Sequence, residues 1–209
     1  MIGCRRGRWT VVSAGAVIVA TLVTGCAGAQ APEADFDEAR AANLAYKSAV
    51  AEVQKQLFDG EWRVWEYGDI PERCEDGYEF FLRRKLPEGF SFDGEGPQRM
   101  ADLRAWMTGN GWQVAPSPSY GEGIDNMVIM AGKPEAKVSR LDVDFLPGSA
   151  AEGTVDVLEL RATSTCEPGD AAALLEQLHG PFRAVPEDTG IPNLESPDAT
   201  PLFERYAEG

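Results

Sequence analysis

The stretch that most constrains the fold is residues 36–57. Phe36, Asn43, Val50 and Leu57 recur seven residues apart, with Ala39, Tyr46 and Val53 at the intervening three-four positions. That spacing aligns them on one stripe of an α-helix and predicts a helix over 36–57. Asp35 suits its N-cap, and Asp37 and Glu38 suit its electropositive first turn. Asp59-Gly60 stops it. A stripe holding a polar Asn43 admits two partners: another helix in a coiled coil, or the sheet of its own domain. Three heptads is minimal for a coiled coil, which favours the sheet.

Shorter patterns follow. Aromatic-rich 61–67 and 78–84 read as strands, separated by a charged loop over 68–76 with Pro71 and Cys74. Residues 87–97 read as a loop with partly buried Phe90 and Phe92. A second helix is predicted over 98–108, with Pro97 at its first turn and Met100, Leu103, Trp106 and Met107 on its buried stripe. Residues 112–115 and 127–131 read as strands. In 137–145, Leu141, Val143 and Phe145 alternate with Arg140, Asp142 and Asp144, the mark of a half-buried strand. Residues 154–163 form another, and a hairpin between the two would set Arg140 opposite Glu159. Asp170 caps a short helix through Leu174, Leu175 and Leu178. Consecutive strands with short connections predict an α+β fold. Its sheet is largely antiparallel, of about five or six strands, with the long N-terminal helix and the second helix on one face.

The N-terminus carries an address. Arg5, Arg6 and Arg8 precede Thr10 to Val23, 14 residues without a charge. That length fits a signal peptide and falls short of the roughly 20 residues a membrane-spanning helix needs. The run ends in Val23-Thr24-Gly25-Cys26, which resembles the lipobox of bacterial lipoprotein precursors. It implies cleavage before Cys26 and lipidation of that thiol. Two other readings are a secretory signal cut at Ala27 or Ala29 and an uncleaved anchor. Arg5-Arg6 hints at twin-arginine export, in a poorly matching context. The expected organisation is a signal peptide over 1–25, a tether over 26–34, a single α+β domain over 35–185 and a disordered acidic tail over 186–209. The expected location is the outer face of the cell membrane, held by two acyl chains.

Charge narrows the partners. Removing residues 1–25 takes three arginines and no acid from a net charge of −15, leaving −18 over 184 residues. Such a chain repels phosphate backbones, which excludes nucleic acid. Cys4 leaves with the signal, so Cys74 and Cys166 remain as an even pair in an exported chain. They are expected to form a disulfide, two separate thiols being the alternative.

Reaction chemistry is sparse. His179, the only histidine, sits at a helix end and suits a structural role. A multi-histidine zinc site is excluded, and no phosphate loop, dinucleotide fingerprint or Gly-x-Ser-x-Gly context occurs. Glu72, Glu75, Asp76 and Glu79 cluster near Cys74, and Asp142, Asp144 and Glu159 gather on two strands. Either set offers calcium or acid–base chemistry, without the oxygen-ligand spacing of a calcium loop; a solvated face is the plain reading. No cofactor or metal is expected. Trp62, Trp65, Tyr67, Trp106 and Trp112 are candidates to line a groove on an uncovered sheet face.

From Trp62 to Cys166 the layout is similar to small exported actinobacterial lipoproteins, including the mycobacterial LppA-type group. The shared features are an aromatic strand after a long helix, a cysteine soon after it and a second cysteine closing the last strand. The resemblance implies an α+β domain, a disulfide and envelope placement, and carries no catalytic residue. The expected function is a non-enzymatic, membrane-anchored lipoprotein presenting an interaction domain to a protein or apolar partner. The alternative is a carrier for a lipid or other apolar small molecule. An envelope hydrolase using carboxylates is a third reading.

Overall fold

A computed structural model describes residues 35–118, 125–149, 151–178, 193–201 and 203–204. The signal peptide, the tether with Cys26, His179 and the tail residues 186–192, 202 and 205–209 lie outside the described residues.

Helix α1 spans Phe36–Leu57, and the Asp35 carboxylate accepts from the Asp37 and Glu38 N–H groups as expected of an N-cap. Its stripe of Ala39, Asn43, Tyr46, Val50, Val53 and Leu57 is buried against the domain's own sheet, so the coiled-coil partner is not needed. Tyr46 lies 6.5 Å from the Phe80 ring and donates its hydroxyl to the Ala162 carbonyl at 2.7 Å. Burial pushes the Tyr46 phenol well above its ordinary pKa, so it remains a neutral donor. Burying a ring of this size contributes roughly 2–3 kcal/mol.

The sheet has eight strands, all paired antiparallel. Hairpin β1 (Trp62–Cys74) and β2 (Gly77–Lys85) comes first, then α2 (Gly96–Gly109). The chain next crosses to the far edge and returns as a meander through β3 (Gln113–Val114), β4 (Met127–Lys133), β5 (Val138–Leu146) and β6 (Val157–Ser164). Strand β7 (Glu167–Pro168) continues beside β2, α3 (Ala171–Gln177) follows, and β8 (Leu194–Glu195) pairs outside β1. The order is β3-β4-β5-β6-β2-β1-β8. The α+β class and antiparallel sheet agree with the sequence reading; the strands beyond six are the two-residue β7 and β8.

Alternation sorts the side chains. On β2, Tyr78, Phe80, Leu82 and Arg84 turn inward while Glu79, Phe81, Arg83 and Lys85 are only partly buried. Leu158, Leu160 and Ala162 of β6 and Leu141, Val143 and Phe145 of β5 continue the inward face. Gly96 lets α2 begin close to this layer, since a Cβ there would lie 2.1 Å from the Phe145 ring. Phe58, Phe90, Phe92 and Phe145 form a chain of ring contacts joining the end of α1 to the sheet, with Phe90 and Phe92 partly buried and buried as their loop predicted.

Three sequence expectations change. Residues 68–76 are not a loop: β1 runs on to Cys74, with register shifts after Val64 and after Tyr67 that absorb the punctuating residues. Pro71 is tolerated because β1 has a strand on its other side only at Trp62 and Arg63. The acidic tail is not wholly disordered either. Leu194–Glu195 pairs with β1, and Phe203 is fully buried between Phe36 and Phe80 at 5.3 and 5.7 Å. Finally, Arg140 faces Thr163 rather than Glu159, because the hairpin is centred further along the chain than the spacing suggested: Leu146 pairs with Val157, so Glu159 faces Asp144.

Cys74 and Cys166 are disulfide-bonded, 92 residues apart, with Cα atoms 6.0 Å apart. The bridge ties the end of β1 to the link between β6 and β7. In the chain-entropy account, closing a loop of this length stabilises the fold by about 4.6 kcal/mol.

Candidate functional site

The helices α1 and α2 cover one face of the sheet, and the residues of the opposite face form two cross-strand rows. Strand register places Val128, Asp144, Glu159, Lys85 and Arg63 in one row and Met130, Asp142, Arg161, Arg83 and Glu66 in the next. Two carboxylates, Asp144 and Glu159, therefore sit directly opposite each other, as do Arg83 and Arg161. Like charges at such positions repel. The rows are stable because each repulsion is answered diagonally. Arg83 makes a two-pronged pair with Glu159 at 2.8 and 2.9 Å, and Lys85 reaches the same carboxylate at 3.1 Å. Arg161 lies 3.5 Å from Glu159 and 3.8 Å from Asp144, and Arg140 chelates Asp142. Partial burial works against the Glu159 charge, but the Arg83 and Lys85 hydrogen bonds prevail and hold its carboxyl below the ordinary glutamate range.

Trp65 stands over this network. The register steps from Val64 opposite Arg84 to Glu66 opposite Arg83, which makes Trp65 the extra residue of a bulge. A bulge re-aims a side chain, and here it leaves Trp65 half-exposed at 50 %. Its ring is contacted by Lys85 Nζ at 4.6 Å and Arg83 Cζ at 5.1 Å from the centroid. Cations held against an indole are attracted by the negative ring face. The same two cations are fixed by Glu159, so the indole rests on a pre-built base.

The bulge is held from the covered side. Arg84, 1 % exposed, donates to the carbonyls of Glu66 at 2.5 Å, Arg83 at 3.2 Å and Tyr67 at 3.3 Å, and pairs with Glu195 of β8. The second distortion in β1, at Gly68 with φ +82°, is tied to α1: Asn43 donates to the Gly68 carbonyl at 2.6 Å and Lys47 pairs with Asp69 at 2.5 Å. Burial pushes the Asp69 carboxyl above its ordinary range while the Lys47 ammonium pulls it back. Asn43, Lys47, Asp69, Arg84 and Glu195 thus form a polar layer inside the core.

The five aromatic residues expected to share a groove do not come together. Trp62 is fully buried and donates its indole N–H to the Phe58 carbonyl at 2.9 Å. Tyr67 is buried beside Arg84, Trp112 is buried near Lys133, and Trp106 is half-buried on α2 against the core. Trp65 alone of the five is exposed. Period-two alternation hid this, because the bulge resets it within β1.

Two clefts of about 350 and 410 Å³ lie elsewhere. One lies between α1 and residues 195–201 and is lined by Leu44, Ala51 and Leu82 together with Lys47, Lys55, Arg84 and Glu195; the other is bordered by Phe58, Phe90 and Phe92 with Asp59, Asp93 and Arg99. Of the acidic cluster near Cys74, Glu72 and Glu79 face each other across the β1–β2 ladder. Partial burial, with Glu66 and Glu79 nearby, raises the Glu72 carboxyl. Among the described residues no group of three His, Cys, Asp or Glu side chains is placed to hold a metal ion, and no helix is long and apolar enough to cross a membrane.

No protein-family model matches the chain, and neither a curated protein nor a solved structure matches it.

Proposed function

We propose that this chain is an exported, lipid-anchored envelope protein whose α+β domain is a non-catalytic binding module. The lipobox-like Val23-Thr24-Gly25-Cys26 and the arginine-flanked apolar run support the anchor. The Cys74–Cys166 bridge is compatible with an oxidising compartment. The observation that carries the binding role is Trp65: a large indole half-exposed on a bulge, over a fixed ionic network, on the sheet face opposite α1 and α2. Large aromatic side chains left partly in water at a shaped position are the usual anchors of interfaces. The carrier alternative has less support, because both clefts are open to solvent and mix charged with apolar side chains, so neither encloses an acyl chain.

The test uses the full-length protein in its native membranes. Cys26→Ala is expected to move it to the soluble fraction, and continued acylation of that variant would sink the anchor. Chemical crosslinking of wild type is expected to trap an envelope component that Trp65→Ala loses. An unchanged crosslink pattern in that variant would refute the binding face.

A further inference from the structure

We infer that the Trp65 face recognises a neutral carbohydrate, with one sugar ring stacked on the indole. This rests on the reading of that face as a binding surface and names its ligand class.

The chemistry around the ring eliminates the other classes. An anion would have to displace Glu159 from Arg83 and Lys85 and would lie beside the Glu66, Asp142 and Asp144 carboxylates of the same two rows. A cation would meet an indole already occupied by Lys85 and Arg83. An acyl chain would desolvate the ionic network of Arg83, Glu159 and Arg161 without satisfying it. A sugar has neither defect. The C–H face of its ring packs on the electron-rich indole face, and its hydroxyls both donate and accept. The lone pairs of Glu159 and Asp144 and the N–H groups of Arg83 and Arg161 can bind hydroxyls with their mutual pairs intact. The platform is also pre-organised. Glu159 fixes the two cations, the cations support the indole, and buried Arg84 holds the bulge from behind. A weakly hydrophobic ligand gains most from a site that needs no ordering on binding.

The experiment titrates the full chain with neutral hexasaccharides of glucose, mannose, galactose and arabinose. Intrinsic tryptophan fluorescence and saturation-transfer NMR report binding. At least one sugar should bind, with saturation strongest at its ring C–H protons. Trp65→Ala should weaken that binding about tenfold or more, about 1.4 kcal/mol. Trp65→Phe should retain most of it, and both variants should melt like wild type. Failure of the whole panel, or binding indifferent to Trp65→Ala, would overturn the carbohydrate assignment. If the panel fails while Trp65→Ala still loses its membrane crosslink, the binding face stands and only the ligand class falls. If both fail, both readings fall.

Discussion

Arg83 and Arg84 are neighbours in one strand and live in opposite worlds. Arg84 points into the core, where it satisfies carbonyls of the distorted β1 and pairs with Glu195. Arg83 points to the other face, where it pairs with Glu159 and supports Trp65. The buried group is locked into the fold, because removing either partner strands a charge away from water. The partly buried group on the open face contributes less to stability, because water replaces much of what it loses. One strand therefore carries a structural ion pair on one side and a dispensable, reusable one on the other. That division separates the folding face from the binding face.

The largest effect should come from the segment that supplies the buried partner. Removing residues 194–209 deletes Glu195 and Phe203 together, an expected loss of roughly 6 kcal/mol or more. In thermal unfolding this is a drop of more than about 10 °C. A shift under about 5 °C would mean the strap is not part of the core. Arg84→Ala comes next, at about 3–5 kcal/mol. Arg83→Ala should cost at most about 1 kcal/mol, with a cost that shrinks further in high salt. Equal losses for the two arginines would erase the contrast between the faces.

Proton linkage offers a subtler version of the same comparison. Glu159 on the open face has a lowered folded pKa, so its contribution is present above the ordinary glutamate value of about 4.3. That contribution is lost as pH falls through the lowered value. Asp69 in the core has the opposite sign, since its raised folded pKa makes the fold lose stability as pH rises from about 3.9 through that value. Carboxyl-carbon NMR should show Glu159 titrating below an ordinary glutamate and Asp69 above an ordinary aspartate. Coincident ordinary titrations would contradict both assignments.

Much of the covered face was legible in the sequence. The α1 stripe, the Asp35 and Asp170 caps and the alternation of 137–145 are local patterns with fixed periods, and the structure keeps each of them. What escaped depends on contacts between distant residues. The bulge at Trp65 has no turn residue to announce it; it exists because Arg84 binds the carbonyls it exposes. Leu194 and Phe203 are among the few apolar residues of an acidic, proline-containing stretch, which composition alone assigns to disorder. The rows of charge on the open face needed the β5–β6 register, and moving the centre of that hairpin by two residues was enough to move the partner of Arg140 from Glu159 to Thr163. The one exposed tryptophan among the described residues was within the predicted set, but a set defined by residue type could not say which member faces water.

The most direct test of the account is hydroxyl-radical footprinting of Trp65 in the native envelope and in the purified protein. Trp65 should be oxidised readily when purified and strongly protected in the envelope, while buried Trp62 should be protected in both. Equal labelling of Trp65 in the two settings would contradict it.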